Sequence, residues 1–333
     1  MADYPKPTGA LSEGAERPPS RQVVLVADIG GTKIGLGHIG SHRRLPQLHT
    51  LSTDLIRKPA VVEALAGLLE AYSAERGLAP QAAVLGVPVS LDRDLDKVLS
   101  SPNIPQLEGI FLARELGRRL GYPVYLERDI ALLLLGEYRA GAARGAASVL
   151  GVFFGTGVGA AMLWHGELYR GHSVGLELGH IPIRAEGRGC ICGNTDCLEA
   201  YACGHTLNLL SQQAGLPVAE LFVRRGESPG LERALQEFVR DEAYAVATAI
   251  NLFDPEVCVV GGGIPRMEGY PKARFFHTVL EHLRRPYPRE TVRLVWAELG
   301  AEAVLYGAQA VLAQRSPAPP GDAEPDHGTP AGD

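Results

Sequence analysis

Three of the five cysteines in this 333-residue chain lie within eight residues of one another, in the segment GCICGNTDCLEA at 189–200. Thiolates at this density are typical of a zinc site, because Zn²⁺ takes four sulfur or nitrogen ligands in a tetrahedron. Cys190, Cys192 and Cys197 supply three of the four, so the sequence predicts a further ligand from another segment. A redox pair, which usually has the spacing C-x-x-C, and unrelated free thiols are the alternatives.

Three glycine clusters have the composition of phosphate-binding turns. Converging backbone N–H groups bind phosphate oxygens well, and only glycine lets a backbone approach so closely and bend so sharply. DIGGTK at 28–33 adds a hydroxyl, a lysine and a carboxylate, and GTGVG at 155–159 and VVGGGI at 259–264 are the other two clusters. The Rossmann and P-loop patterns are absent. A hairpin turn explains each cluster singly, whereas all three together suit a nucleotide clamped across a cleft.

Two aspartates follow predicted strands and could take part in phosphoryl transfer. Asp129, in YLERDIALLLL, lies between a strand and a helix, and both placements favour a carboxylate directed into a cleft. There it could accept the proton of an attacking hydroxyl, while a simple helix N-cap is the alternative. Asp28 closes the first strand and could help to bind Mg²⁺, which takes one or two carboxylates together with phosphate oxygens and water.

Two further segments carry polar side chains that could bind a ligand. SPNIP at 101–105 places Asn103 in a loop stiffened by two prolines, although an ordinary turn asparagine explains it equally well. GLELGHIPI at 175–183 places Glu177 and His180 in an apolar stretch, where a satisfied, partly buried pair is the alternative.

An alternation of predicted strands and helices positions these residues. In the first half the strands are VVLVAD, KIGLGHIG, QLHTLST, AAVLGVPVS and PVYLE, and the helices are PAVVEALAGLLEAYSAERG, FLARELGRRLG and DIALLLLGEYRAG. In the second half, strands surround the turn in ASVLGVFFGTGVGAAMLWHGELY and recur in EVCVVGGGI and TVRLVWAEL, with helices in LERALQEFVRDEAYAVATAINLFDP and EAVLYGAQAVLAQ. A strand, a glycine turn and a second strand thus occur twice, which indicates two related α/β domains facing each other across a cleft.

Composition limits the function classes. The formal net charge of −6 gives no electrostatic basis for binding nucleic acid or anionic membranes broadly. No apolar run reaches the about 18 residues of a membrane span. The first residues lack the apolar middle of a signal peptide, so we expect a cytoplasmic protein, in which thiols stay reduced. The Pro- and Gly-rich ends, 1–21 and 315–333, predict disorder.

Four segments, in their order along the chain, resemble the motifs of the ROK family (repressors, open reading frames and kinases) in the actin-like ATPase superfamily. They are DIGGTK, GTGVG, LELGHIPI and CICGNTDCLEA. The resemblance runs from about Val23 to Gln314. It implies two actin-like, ribonuclease H-like α/β domains that flank a cleft and carry a structural zinc loop. The small domain would span 22–127 with the final helix at 302–314, and the large domain 128–301 with the zinc loop at 180–199. It also implies a homodimer.

The same resemblance assigns a role to each motif in a sugar kinase. Asp129 would be the general base for the 6-hydroxyl of an aldohexose, and Asp28 would hold the Mg²⁺ of ATP through water. His180 would complete the zinc site and orient the sugar, whose hydroxyls would be bound by Asn103, Arg128, Asp129, Glu177 and Glu199. ATP would be held by Gly30, Gly31, Thr32, Lys33, Gly155, Thr156, Gly157, Gly261, Gly262 and Gly263.

Arg128 departs from the family pattern, in which asparagine usually precedes the catalytic aspartate. An arginine replaces a small amide by a fixed charge and a fork of donors, so it should reshape the sugar pocket and lower the pKa of Asp129. Four further segments resemble the allose kinases of the family more than its glucokinases: SPNIPQL, ERDIALLLL, INLFDPEVCVVGGGI and LRRPYPRETVR.

The predicted reaction is therefore the phosphorylation of D-allose to D-allose 6-phosphate, with glucose or N-acetylmannosamine as the alternative substrate. A sugar-sensing regulator of the same family is less favoured. Such regulators carry a helix-turn-helix domain before the first motif, where this chain has a short Pro- and Gly-rich lead. A scaffolding protein with an inactive kinase fold is also less favoured, because both aspartates and all three glycine turns are intact.

Overall fold

The structure is a computed structural model that describes residues 23–40, 47–172 and 175–315. The N-terminal lead at 1–21, predicted to be disordered, lies outside these residues, and so does the tail from residue 316 onward. Among the described residues, no helix combines the length and the apolar character needed to cross a membrane.

The N-terminal half is built around a mixed sheet. Its elements in chain order are β1 (Val23–Ile29), β2 (Lys33–Ile39), β3 (His49–Ser52), α1 (Val61–Glu75), β4 (Pro80–Val87), β5 (Ser90–Leu91), β6 (Val98–Ser100), α2 (Leu112–Leu120) and β7 (Val124–Arg128). The sheet has the order β3-β2-β1-β4-β7, while β5 and β6 form a separate hairpin. β1 pairs antiparallel with β2 and parallel with β4. The glycine turn after β1 therefore lies at the same edge of the sheet as the ends of β4 and β7.

The C-terminal half repeats this topology. Its elements are α3 (Asp129–Ala140), β8 (Ser148–Phe154), β9 (Val158–Trp164), β10 (Glu167–Leu168), α4 (Leu198–Tyr201), α5 (Gly204–Ala214), α6 (Pro229–Phe253), β11 (Val257–Gly261), α7 (Lys272–Glu281), β12 (Arg293–Trp296) and α8 (Ala303–Arg315). The sheet has the order β10-β9-β8-β11-β12. Again an antiparallel hairpin is extended by parallel strands on one side. The predicted recurrence of strand, glycine turn and strand is confirmed.

Helices α3 and α8 pack against each other between the two sheets, in a buried cluster that includes side chains of β1, β4, β8 and β11. A Cβ atom at Gly136 would lie 2.0 Å from the carbonyl oxygen of Ala303, and one at Gly307 would lie 2.1 Å from that of Leu132. No side chain fits at these distances, so the two backbones meet only because both positions are glycine. The predicted domain boundary at residue 128 thus falls at the entry to a helix that both sheets contact.

The predicted helices and strands are present, whereas the β5–β6 hairpin and the helices α4, α5 and α7 were not predicted. α4 is a single turn of 4 residues, too short to show a hydrophobic period. α2 ends where its sequence predicts, because Gly121 adopts a left-handed φ of 79°. α8 extends to Arg315, one residue into the predicted tail.

Candidate active site

The first two glycine turns face each other across the space between the sheets. The side-chain oxygens of Thr32 and Thr156 are 3.4 Å apart. A Cβ atom at Gly31 would lie 3.4 Å from Cγ2 of Thr156. One turn joins β1 to β2 and the other joins β8 to β9, so each half of the molecule contributes one turn to a common cleft.

The third glycine cluster lies beside the second turn. Gly261 ends β11, which pairs with β8, and Gly262 has a left-handed φ of 97°. A Cβ atom at Gly262 would lie 2.1 Å from the carbonyl oxygen of Phe154, the residue before Gly155. The three clusters predicted to hold ATP are therefore brought together. Gly263 follows in the same loop, and Lys33 begins β2 with an exposed side chain while its carbonyl accepts the N–H of Gly30 at 2.8 Å.

Asp28 and Asp129 lie close together at the floor of the cleft. Asp28 is paired with Gly86 of the neighbouring strand. A Cβ atom at Gly86 would lie 3.3 Å from Cα of Asp129 and 3.4 Å from a carboxylate oxygen of Asp28. The absence of a side chain at Gly86 thus makes room for the two carboxylates.

Both carboxylates hold protons more tightly than an ordinary aspartate. Burial raises the pKa of Asp28 to about 7, and the negative charge of Asp129 contributes to this shift. Burial also raises the pKa of Asp129, against the opposing effects of the Ile130 N–H, which donates to its Oδ1 at 2.8 Å, and of Arg128. The positive charge of Arg128 lowers the pKa of Asp129, as expected, but desolvation by burial outweighs this effect and the net shift is upward.

Arg128 joins the two halves beside this pair. Its guanidinium group donates to the carbonyl oxygen of Gly175 at 2.8 Å and to Oε1 of Glu177 at 3.0 Å. The other oxygen of Glu177 lies 3.8 Å from Nε2 of His180. Arg128, Glu177 and His180 therefore form one polar chain, as expected for groups that bind the same substrate. Asn103 lies beside the first glycine turn, where its side chain would be 3.5 Å from a Cβ at Gly31.

A cavity of about 280 Å³ adjoins this polar chain. Its lining includes Arg93, Arg128, Tyr169 and Arg170, and it lies between the two halves. Arg93 closes one side by donating to the carbonyl oxygen of His172 at 3.2 Å. The cavity shares Arg128 with the predicted sugar-binding residues and is otherwise lined by other residues.

The cysteine cluster is completed by His180, as the family resemblance implies. One ligand atom from each of His180, Cys190, Cys192 and Cys197 lies within 4.8 Å of all the others. The sulfurs of Cys192 and Cys197 are 3.7 Å apart, and Sγ of Cys190 is 3.6 Å from Nδ1 of His180. Tetrahedral zinc bonds of about 2.0–2.3 Å give ligand spacings of about 3.6–3.8 Å, so these four residues fit the ion.

Glu199 connects the cysteine loop to the second glycine turn. Its Oε2 accepts the N–H of Val158 at 2.8 Å and would lie 2.3 Å from a Cβ at Gly157. Gly157 must therefore remain glycine for this contact to form. One carboxylate oxygen is committed to the turn, and Oε1 is the atom that could bind a sugar hydroxyl.

Sequence reasoning missed two residues behind the first glycine turn. The hydroxyl of Thr53 donates to the carbonyl oxygen of Gly30 at 2.8 Å. The guanidinium group of Arg57 donates to the carbonyl oxygen of Gly31 and, at 3.3 Å, to that of Asn103. Both residues belong to the loop between β3 and α1, whose sequence STDLIRK carries no motif. Only the tertiary structure brings them to the site.

The comparisons with known proteins agree with this geometry. Residues 24–315 match the ROK family. A glucokinase of Thermotoga maritima is 30% identical over 318 residues, covering 88% of this chain and 98% of its own length. An N-acetyl-D-glucosamine kinase of Vibrio cholerae is 31% identical over 258 residues, covering 71% of this chain and 83% of its own.

A solved structure is also similar. A ROK family glucokinase from Streptomyces griseus, in complex with glucose and AMPPNP, has a TM-score of 0.75 and 26% identity. The match covers 88% of this chain and 99% of that one. Since the family match extends over nearly all described residues, this chain belongs to the ROK family.

Proposed function

We propose that this chain transfers the γ-phosphoryl group of ATP to the 6-hydroxyl of an aldohexose, with Asp129 as the general base. The observation that carries the proposal is the meeting of Asp28 and Asp129 beneath the two facing glycine turns. Its membership of the ROK family and the named activities of its relatives make the chain an ATP-dependent hexose kinase. The two repeated α/β halves are consistent with the actin-like ATPase fold.

In the proposed reaction, Asp129 accepts the proton of the 6-hydroxyl as the sugar oxygen bonds to the γ-phosphorus and the bond to the ADP oxygen breaks. A base whose pKa is raised towards neutrality holds that proton better than an ordinary aspartate. The backbone N–H groups of Gly31 and Thr32 and those of Thr156 and Gly157 would stabilise charge on the phosphate oxygens. Asp28 would hold Mg²⁺, which neutralises phosphate charge when bound.

We further propose a structural zinc ion held by His180, Cys190, Cys192 and Cys197. Four protein ligands leave no open position, so the ion would take no part in the chemistry. It would fix the loop that carries Glu177 and Glu199. Because Glu177 lies near Nε2 of His180, it would also orient the imidazole ring, as carboxylates near zinc-bound histidines commonly do.

D-allose is our proposed hexose, and the sequence at Arg128 supports it. The forked guanidinium group beside Glu177 would present donors to a ring hydroxyl where the family pattern has a small amide. An N-acylated hexose such as N-acetylmannosamine is the second candidate, supported by the N-acetyl-D-glucosamine kinase among the relatives of this chain. Glucose is the third. The homodimer implied by the family resemblance is retained as a proposal, and the mass in solution tests it.

A substrate panel tests the proposal. ADP release would be measured with D-allose, glucose, mannose, N-acetylmannosamine and N-acetylglucosamine, and the product would be checked for a phosphate at carbon 6. We expect the highest kcat/KM with allose. Preference for an N-acylated hexose would instead support the second candidate, and the absence of turnover on every sugar would overturn the proposed function.

A further inference from the structure

The segment Thr53–Arg57, here called the backing segment, lies directly behind the first glycine turn. It begins with a short 3-10 turn at Thr53–Leu55 and precedes α1. Thr53 is fully buried, whereas the side chain of Arg57 is 34% exposed. None of its residues belongs to a sequence motif, yet Thr53 and Arg57 contact the glycine turn, and Arg57 also contacts the loop of Asn103.

The backing segment binds three successive carbonyl groups of the glycine turn. The hydroxyl of Thr53 donates to the carbonyl oxygen of Gly30 at 2.8 Å. The guanidinium group of Arg57 donates to the carbonyl oxygen of Gly31. The N–H of Thr53 donates to the carbonyl oxygen of Thr32 at 3.1 Å. The carbonyl groups of Gly30, Gly31 and Thr32 are therefore all bound by the backing segment.

Because peptide groups are planar, these contacts also fix the direction of the N–H groups of the turn. In a trans peptide the N–H points away from the carbonyl of the same plane. The cis peptides of the described residues precede Pro286 and Pro288, so those of the turn are trans. Since the carbonyls of Gly30 and Gly31 face the backing segment, the N–H groups of Gly31 and Thr32 face away from it. The hydroxyl of Thr32 meets that of Thr156, so the first turn borders the space between the two glycine turns.

We propose that Thr53 and Arg57 are positioning residues that orient the N–H groups of the first glycine turn towards the phosphates of the nucleotide. The inference rests on the proposed kinase function and adds to it residues that touch neither substrate. Successive N–H groups directed to one point bind anions well, but only while their peptide planes are fixed. Glycine turns are flexible, so the planes must be held from outside.

Arg57 also ties this turn to the neighbouring loop that carries Asn103. The same guanidinium nitrogen lies 3.3 Å from the carbonyl oxygen of Asn103, in the loop predicted to bind the sugar. Asp54 holds the guanidinium group through an ion pair of 2.5 Å. Its carboxylate is fixed in turn by the hydroxyl of Ser52 at 3.1 Å. The phosphate turn and the sugar loop therefore share one anchor.

The experiment compares a nucleotide with its phosphate-free counterpart. Dissociation constants for Mg²⁺-AMPPNP and for adenosine would be measured by calorimetry without sugar, for the wild type, Arg57→Ala, Arg57→Lys and Thr53→Val. Arg76→Ala is the matched control. Its side chain is 33% exposed and pairs with Glu75 at 3.1 Å, on α1 and away from the turn.

We expect Arg57→Ala to weaken AMPPNP binding about tenfold or more, as for the loss of a charge-assisted hydrogen bond, with adenosine unchanged. Arg57→Lys should recover part of the affinity, because an ammonium group reaches one carbonyl but lacks the fork. Thr53→Val should show the same selective loss, and Arg76→Ala none. Thermal unfolding midpoints would show that the variants are folded. Arg57 is partly exposed, so its variants remain informative if Thr53→Val unfolds.

Unchanged AMPPNP affinity in Arg57→Ala, or an equal loss for AMPPNP and adenosine, would overturn the inference. Hexose turnover by the wild type is measured separately. A wild type that binds AMPPNP but phosphorylates no hexose contradicts the proposed function alone. A wild type that phosphorylates hexoses while Arg57→Ala keeps its AMPPNP affinity contradicts the positioning role alone.

Discussion

The hydroxyl oxygens of Thr32 and Thr156 lie 3.4 Å apart, although 124 positions separate the two residues in the chain. Each belongs to a hairpin turn of a different sheet, and the two sheets have the same topology. The contact therefore joins equivalent turns of the two halves. A nucleotide held between them would be contacted by both halves at its phosphates.

Gly31→Ala should reduce turnover while leaving the fold intact. The new methyl group would lie 3.4 Å from Thr156 and 3.5 Å from Asn103, so it would project into the space between the two turns. We expect kcat/KM for ATP to fall about tenfold or more, since small displacements at a reacting site have large effects. Steady-state kinetics with varied ATP measure this.

Gly67→Ala is the control for that substitution. Gly67 lies within α1, and a Cβ atom there would have no heavy atom within 4 Å. We expect a gain of about 0.5–1 kcal/mol in the free energy of unfolding, from helix propensity, with unchanged kinetics. Equal activity in the two alanine variants would contradict the placement of Gly31 in the site.

Asp129→Asn should abolish most of the turnover and retain substrate binding. The amide keeps the size of the side chain but cannot accept the proton of the sugar hydroxyl. We expect kcat to fall about 10²- to 10⁴-fold, with sugar and AMPPNP dissociation constants changed only slightly. The exposed Asp94→Asn serves as the control. Turnover within a few-fold of the wild type would exclude Asp129 as the base.

The activity should rise with pH over a range above that of an ordinary aspartate. Asp129 acts as a base only when it is deprotonated, and burial raises its pKa from the usual value of about 4. The acid limb of kcat against pH is therefore expected above that value. An acid limb at or below pH 4 would contradict the buried, raised carboxylate.

Asp28→Asn should change the dependence of stability on pH. Because burial raises the pKa of Asp28 from 3.8 to about 7, its stabilising contribution is complete below pH 4 and is lost as the pH rises through 7. The amide introduced at position 28 does not ionise, so the variant does not lose this stability as the pH rises. We therefore expect it to be more stable than the wild type at pH 8 and not at pH 4. Thermal unfolding at both values, without Mg²⁺, is the measurement. An equal difference at both would count against the raised pKa.

Cys192→Ser should remove a bound zinc ion and weaken sugar binding. Metal analysis of the wild type should give about one zinc per chain, as the four-ligand cluster predicts. Loss of the ion frees the loop carrying Glu177 and Glu199. We therefore expect a higher KM for the sugar and a smaller effect on kcat. Cys203→Ser is the control, because Cys203 lies outside the cluster. Equal zinc content in both variants would contradict the assignment.

The residues that could be predicted from sequence share one property, which is that their signal is local. The glycine turns, the strands beside them and Asp129 at a strand–helix junction all follow from neighbouring residues. The fourth member of the cysteine cluster, His180, lies ten positions before Cys190; the family resemblance supplied it, and the structure places the two residues in contact. Substrate preference remains a prediction, because the motifs do not encode the shape of the pocket around Arg128.

The residues that could not be predicted depend on distant contacts. Thr53 and Arg57 contact the glycine turn only after β3 pairs with β2. The net upward shift of the pKa of Asp129 could not be predicted, because the charge of Arg128 is visible in the sequence whereas burial is a property of the folded cleft. Gly136 and Gly307 lie in helical sequences, where glycine by itself carries no information about a partner helix.

The close approach of α3 and α8 at these two glycines has a consequence for how the family can diverge. Asp129 is the first residue of α3, and Gly136 lies about two helical turns further along the same rigid element. A side chain at either glycine would push the helices apart and carry the carboxylate out of register with the glycine turns. Homologues that keep the chemistry should therefore conserve both positions as small residues, or exchange them only as a compensating pair.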